Sequence, residues 1–149
     1  MILWRISNHA SLTGGGGMRV SGRWHARGRR IIYCSESPAS ALLEILVHFE
    51  IDVRDLPAKY RLLKLHGPDN LHLDVVTVAN LPEGWLEQTD VTRATGDRWL
   101  QAGRSPLLRV PSAVVPETFN VLLNPAHPDA VKVTVVQVSN HVIDSRLLK

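Results

Sequence analysis

The chain has one cysteine, Cys34, in 149 residues, so it can form no internal disulfide, and nothing in its composition asks for an oxidising compartment. It also has no apolar run of membrane-spanning length. The longest, Ala41 to Val47, is already broken by Glu44. The opening residues Met1 to Ala10, MILWRISNHA, lack the basic and then apolar pattern of a signal peptide. These absences point to a cytoplasmic protein with no membrane partner. The length suits one domain over residues 1–149, and 44% hydrophobic with 21% charged residues is ordinary for a globular chain.

Carboxylates are missing from the first thirty-five residues. Six arginines (Arg5, Arg19, Arg23, Arg27, Arg29, Arg30) precede the first acid, Glu36, although the whole chain carries only +3. Such a local positive field attracts an anion, either the phosphates of a nucleotide or a nucleic-acid backbone. A solvated arginine surface is the plain alternative.

Several motifs are absent too. The run Gly14 to Gly17 reads as a flexible loop, but no Gly-Lys-Ser/Thr follows it and its spacing is not that of a dinucleotide fingerprint. No His-x-x-x-His or Cys-x-x-Cys pair exists, so no metal site is expected. Ser112, His127 and Asp129 could supply a hydrolase triad, yet Ser112 sits in RVPSAVV and not in Gly-x-Ser-x-Gly. Cys34, alone on a strand, reads as a buried small residue. For nucleic acid, RWHARGRR offers Trp24 as a stacking platform beside Arg27, Arg29 and Arg30. Against that stand Glu83, Glu87, Asp90 and Asp97, and the lack of any helix-turn-helix or RNP pattern.

The elements that can be read favour strands. Arg29 to Ser35 is strand-like, with β-branched Ile31 and Ile32 before Tyr33. A helix then starts at a Ser37 cap with Pro38 in its first turn. Leu42, Leu46 and Phe49 form one stripe, widened by Leu43 and Val47, which predicts a helix buried nearly all round. Glu44 is conspicuous there, because a carboxylate in such a setting costs several kcal/mol unless partnered. YRLLKLHG and LHLDVVTVAN read as two strands about a Gly67–Asn70 turn, and VTRATGDRWLQAG as a helix ending near Gly103. PLLRVPSAVV, TFNVLLNPAHPDA and VKVTVVQVSN supply three more strands, the last half-buried by its alternation. The class is α+β around one bent or split sheet with a few flanking helices.

In order along the chain, WRIS, the glycine-rich loop, SGRWHARGRRIIYCSESPASALLEILVH, LPEGW, GDRWL, LLRVPSAVVPETFNVLLNPAHPD and IDSRLL resemble the RES-domain toxins of RES–Xre toxin–antitoxin pairs. The resemblance runs nearly end to end. It implies an ADP-ribosyltransferase-like fold and a toxin that depletes NAD⁺ by cleaving the nicotinamide–ribose bond, through hydrolysis or through phosphorolysis with inorganic phosphate. Alternatives are ADP-ribosylation of a host protein and, more remotely, a nucleic-acid-binding or ribonuclease toxin. An Xre-type antitoxin is the implied partner, and contact with nucleic acid would come through that antitoxin. NAD⁺ is the substrate, with no bound prosthetic group and no metal.

The family's arginine, glutamate and serine fall on Arg23, Glu44 and Ser112, with Arg5 a second candidate for the arginine. In that role Glu44 would stabilise an oxocarbenium ion on the ribose. Tyr33 would offer a π-face to nicotinamide. Arg23 or Arg5 would fork onto the pyrophosphate, joined by loop amides, with Gly22 lining the site. Ser112 would position ribose or Glu44, and Asn120 would support that wall. YCSES supplies Ser35 and Ser37 in a Ser-x-Ser pattern, although Ser37 already serves as a helix cap. The Glu-x-Glu pair of arginine-modifying transferases is absent, which favours NAD⁺ destruction.

Overall fold

The computed structural model describes residues 1–48 and 58–148. Seven strands form one sheet in the order β4-β5-β6-β2-β1-β3-β7. They are β1 (Ile2–Ile6), β2 (Ile32–Ser35), β3 (Lys59–His66), β4 (Leu73–Val75), β5 (Leu107–Pro111), β6 (Phe119–Leu123) and β7 (Thr134–Val142). Only β4 and β5 run parallel; the other neighbours are antiparallel. The helices are a single turn α1 (Gly16–Arg19), α2 (Pro38–His48) and α3 (Thr89–Ala102). The α+β class expected from the sequence is the one observed, and its sheet is not split among the described residues. No helix among them is long and apolar enough to cross a membrane.

Alternation along the central strands divides two cores. Ile32 and Cys34 of β2, Val121 and Leu123 of β6, and Leu107 of β5 face one side with Leu3, Leu63 and Leu65. Leu122, Leu108 and Val110 face the other, where Trp24, Trp85 and Trp99 cover them. Each tryptophan removes roughly 200 Å² from water, on the order of 5 kcal/mol of transfer free energy. The consequence for function lies in the polar ends of this second face. Tyr33, Ser35 and Asn120 share the parity of its apolar residues, and Ser35 pairs in register with Asn120.

α3 is tied to the Gly22–Arg29 loop through one stripe of buried residues: Thr92, Gly96 and Trp99. Thr92 Oγ1 donates to the Arg23 carbonyl at 2.6 Å. Arg93 Nε donates to the Gly22 carbonyl at 2.8 Å. Asp97 accepts the Ala26 N–H at 3.2 Å and pairs with Arg29 at 3.1 Å. The helix ends as the sequence predicts, on Gly103 at φ 60°, whose N–H returns to the Trp99 carbonyl.

Four expectations are corrected. Among the residues of α2, only Ala41 is buried, while Leu43 and Val47 are exposed; Phe49 lies outside the described residues. The helix rests on β1 and β2 by one side, and no further layer among the described residues covers the other. LHLDVVTVAN gives only the three residues of β4, set beside β5 and not beside β3. There Asn80 Oδ1 accepts the Thr77 backbone N–H at 2.8 Å and turns the chain out of the sheet. β7 is an edge strand, mostly exposed, with Val136, Val138 and Val142 in solvent. The glycine run is not an open loop: Gly17, Met18 and Val20 spend their N–H groups on the carbonyls of Gly14, Gly15 and Gly16.

Cys34 is buried as expected, and that burial pushes its thiol up to about 12, with Arg5 pulling weakly the other way. A chromogenic disulfide reagent at about pH 8 is expected to leave the native protein unmodified and to react promptly once denaturant is added. Fast labelling of the folded protein would contradict this packing.

Candidate active site

Ser37 Oγ accepts the Ser40 N–H at 3.1 Å, so α2 starts where the sequence predicts, directly after β2. One further turn along, Glu44 points at the ends of β5 and β6. Its Oε1 accepts two hydrogen bonds of 2.7 Å, from Ser112 Oγ and from Asn120 Nδ2. Ser112 Oγ in turn accepts the N–H groups of Val114 and Val115 at 3.1 and 3.2 Å. Asn120 Oδ1 accepts from Ser35 Oγ at 2.9 Å. Four residues separated by up to 85 positions thus form one chain that ends on a carboxylate oxygen. Both donors to Oε1 are charge-assisted and short, which fixes the carboxylate plane. No bond to Oε2 is made among the described residues.

Tyr33 lies two residues before Ser35 on the same face, roughly 7 Å along the strand. Its hydroxyl accepts the Trp24 N–H at 3.0 Å and meets His25 Nδ1 at 2.8 Å. Burial pushes this phenol well above its ordinary range. Gly22 packs against that hydroxyl: a Cβ there would come within 2.6 Å of it. Arg5 does not join the Glu44 chain. The register sets Trp4 opposite Ser35 and Arg5 opposite Leu63. The Arg5 guanidinium makes one long bond, 3.4 Å to the Tyr33 carbonyl, and its buried Nε has no partner among the described residues. Burial lowers its pKa, with Cys34 acting in the other direction. Arg23 reaches away, donating to the Leu86 carbonyl at 3.0 Å.

The alternatives read from the sequence lose their parts here. Trp24 is only 2% exposed and cannot stack a base. Of the basic run, Arg29 is paired with Asp97 and Arg30 donates to the Thr13 carbonyl. His127 Nδ1 accepts the Asp129 N–H, while Ser112 is bonded to Glu44, so the three triad residues are not assembled. No group of three or more metal-ligating side chains occurs among the described residues. What the sequence reading missed is His25, whose ring nitrogens both find partners. The signal was an imidazole in a short loop flanked by glycines that a close-packed ring requires.

Residues 2–145 match the RES domain family. The chain belongs to the RES family. A RES relative from Pseudomonas putida named Toxin Res is 49% identical over 150 residues, covering 99% of each chain. A protein of Sphingobium named Prs ADP-ribosylating toxin is 36% identical over 156 residues, covering 98% of this chain and 96% of that one. Among solved structures, the M. tuberculosis MbcT–MbcA toxin–antitoxin complex contains a chain that superposes with a TM-score of 0.75. That match is 18% identical and covers 95% of this RES chain and 84% of the other, a likeness of fold. The seven-stranded α+β fold of this chain is therefore shared with a chain of that toxin–antitoxin complex.

Proposed function

We propose that this RES protein is a cytoplasmic toxin, a single domain over residues 1–149, that destroys NAD⁺ by breaking its nicotinamide–ribose bond. The observation that carries the reading is the Glu44 carboxylate, held through Oε1 by Ser112 and Asn120 with Oε2 left unbonded among the described residues. Nicotinamide in NAD⁺ is already cationic and leaves without a strong acid. The C1″–N bond breaks with its electron pair going to the ring nitrogen, and positive charge develops on the ribose. A carboxylate whose orientation is fixed beforehand stabilises that charge without reorganising. Water or phosphate then adds its electron pair to C1″ and loses a proton.

Tyr33 would pack against the nicotinamide ring from the strand that leads into α2. Arg5 would meet the pyrophosphate: a buried guanidinium nitrogen without a partner among the described residues favours an anion, and arginine keeps its proton in proteins. Arg23 would need to exchange its bond with Leu86 for the same task. The names of the Pseudomonas relative and of the complex support a toxin restrained by an antitoxin, for which we retain the Xre type. Leu43 and Val47, exposed on the helix that carries Glu44, are apolar surface for such a partner to cover.

The test is NAD⁺ loss by purified protein, with and without inorganic phosphate, with products resolved by chromatography. The expected products are nicotinamide with ADP-ribose, or with ADP-ribose-1″-phosphate when phosphate is present. NAD⁺ left intact in both conditions would overturn the reading. A second reading, transfer of ADP-ribose to a protein, is favoured by the name of the Sphingobium relative. Label moving from the adenylate half of NAD⁺ onto a host protein would identify it.

A further inference from the structure

His25 is 3% exposed and fills a slot between two glycines. A Cβ on Gly17 would stand 3.1 Å from its Nε2, and one on Gly22 would stand 2.9 Å from its Cε1. Burial favours the neutral ring, and the hydrogen bonds then fix its tautomer. Nε2 lies 2.9 Å from the Val20 carbonyl oxygen, which can only accept, so Nε2 carries the hydrogen. Nδ1 is then a bare acceptor 2.8 Å from the Tyr33 hydroxyl, which donates to it while accepting from the Trp24 N–H. Both ring nitrogens and both capacities of the phenol oxygen are used.

We propose that His25 is a positioning residue: as the neutral Nε2–H tautomer it locks the Tyr33 hydroxyl, and protonation of His25 releases the tyrosine ring. The proposal rests on Tyr33 forming a wall of the NAD⁺ site. A protonated imidazole would turn an N–H toward a phenol oxygen that already accepts from Trp24, and the phenol hydrogen would lose its acceptor. The groups facing His25 are Tyr33 on β2, the Val20 and Gly17 carbonyls of the α1 segment, and Asp97 and Arg93 of α3. Burial outweighs the rest and lowers its pKa below 6.5; the carbonyls and Asp97 oppose that shift and Arg93 adds to it. The lock is therefore intact at and above that ordinary value and is lost only as the pH falls through the lowered one.

The lock and its consequence are tested separately on the full chain. Histidine ring ¹⁵N spectra from about pH 8 to about pH 5 are expected to contain one ring signal that is lost in His25→Asn, and at about pH 8 that ring should have a protonated Nε2 and a bare Nδ1. It should titrate below the ordinary imidazole value of 6.5. A protonated Nδ1 at about pH 8, or a midpoint at or above the ordinary value of 6.5, would overturn the lock whatever the activity. In steady-state kinetics, His25→Phe keeps a ring but removes the acceptor, and should raise KM for NAD⁺ about tenfold with kcat within about threefold. His25→Asn, whose amide oxygen stands near the Nδ1 position, should recover most of that loss and abolish the weakening of NAD⁺ binding at acid pH. In a Tyr33→Phe background, His25→Phe should add nothing. An undiminished effect there means that His25 does not act through Tyr33. If wild-type protein leaves NAD⁺ intact, the reading of the site fails, and with it the role of the lock, while the spectra still decide whether the lock exists.

Discussion

Glu44→Gln is expected to leave the fold and the affinity for NAD⁺ nearly unchanged and to slow nicotinamide release by about two to three orders of magnitude. Glutamine has the shape of glutamate and retains an Oε1 to accept from Ser112 and Asn120, so both 2.7 Å bonds have an acceptor. What is lost is the negative charge that would face the developing ribose cation. An interaction made only in the transition state lowers kcat and kcat/KM together, with KM unchanged. Glu44→Ala is the poorer variant. It would leave the Ser112 hydroxyl and the Asn120 amide as donors without their acceptor, so loss of activity and loss of structure would be mixed. Single-turnover cleavage with saturating enzyme, alongside the thermal midpoint, separates the two effects. A Glu44→Gln rate within tenfold of wild type would remove the carboxylate from the chemistry.

The sequence exposed the local part of this site and hid the rest, for reasons that follow from distance along the chain. The unit from Tyr33 to Glu44 was legible because its signals are contiguous: an apolar strand, then serine and proline at the helix start. Glu44 stood out as a carboxylate among aliphatic neighbours, and it does find partners. Its bonds to Ser112 and Asn120 cross 68 and 76 positions, and no spacing rule reaches that far. The family resemblance nominated both residues, whereas the Ser35–Asn120 pairing needed the register of β2 on β6. α2 was misjudged because apolar periodicity reports which sides can be buried and not how many layers exist to bury them. LHLDVVTVAN was misjudged because a single side-chain bond, Asn80 to the Thr77 N–H, ends strand geometry that the β-branched residues favour. Trp24 looked like a surface platform among arginines, yet burying its indole outweighs the polarity of its neighbours. His25 has no helical or strand period to betray its burial.

The largest structural effect expected of any single methyl group here is at Gly96. In an exposed helix, replacing glycine by alanine gains up to about 1 kcal/mol from the unfolded chain's lost freedom. At Gly96 the sign reverses, since a Cβ would lie 1.7 Å from the Trp24 carbonyl oxygen and 2.8 Å from its carbon. Both are backbone atoms and cannot rotate aside, so α3 and the Gly22–Arg29 loop must separate. That separation strains the bonds from Thr92 to Arg23, Arg93 to Gly22 and Asp97 to Ala26, and it pulls Trp99 from the core. Gly96→Ala is therefore expected to destabilise by about 3 kcal/mol or more, at the upper end for overpacking. That corresponds to a fall in Tm of about 10 °C for a chain of this size. Arg98→Ala, on the exposed side of the same helix, is the control and should move stability by no more than about 0.5 kcal/mol. The displaced loop carries Arg23, and its Trp24 N–H holds the Tyr33 hydroxyl, so the protein that still folds should also bind NAD⁺ more weakly. A Tm within about 2 °C of wild type would mean that α3 does not dock on Trp24 in solution, and the tie between that helix and the site would go with it.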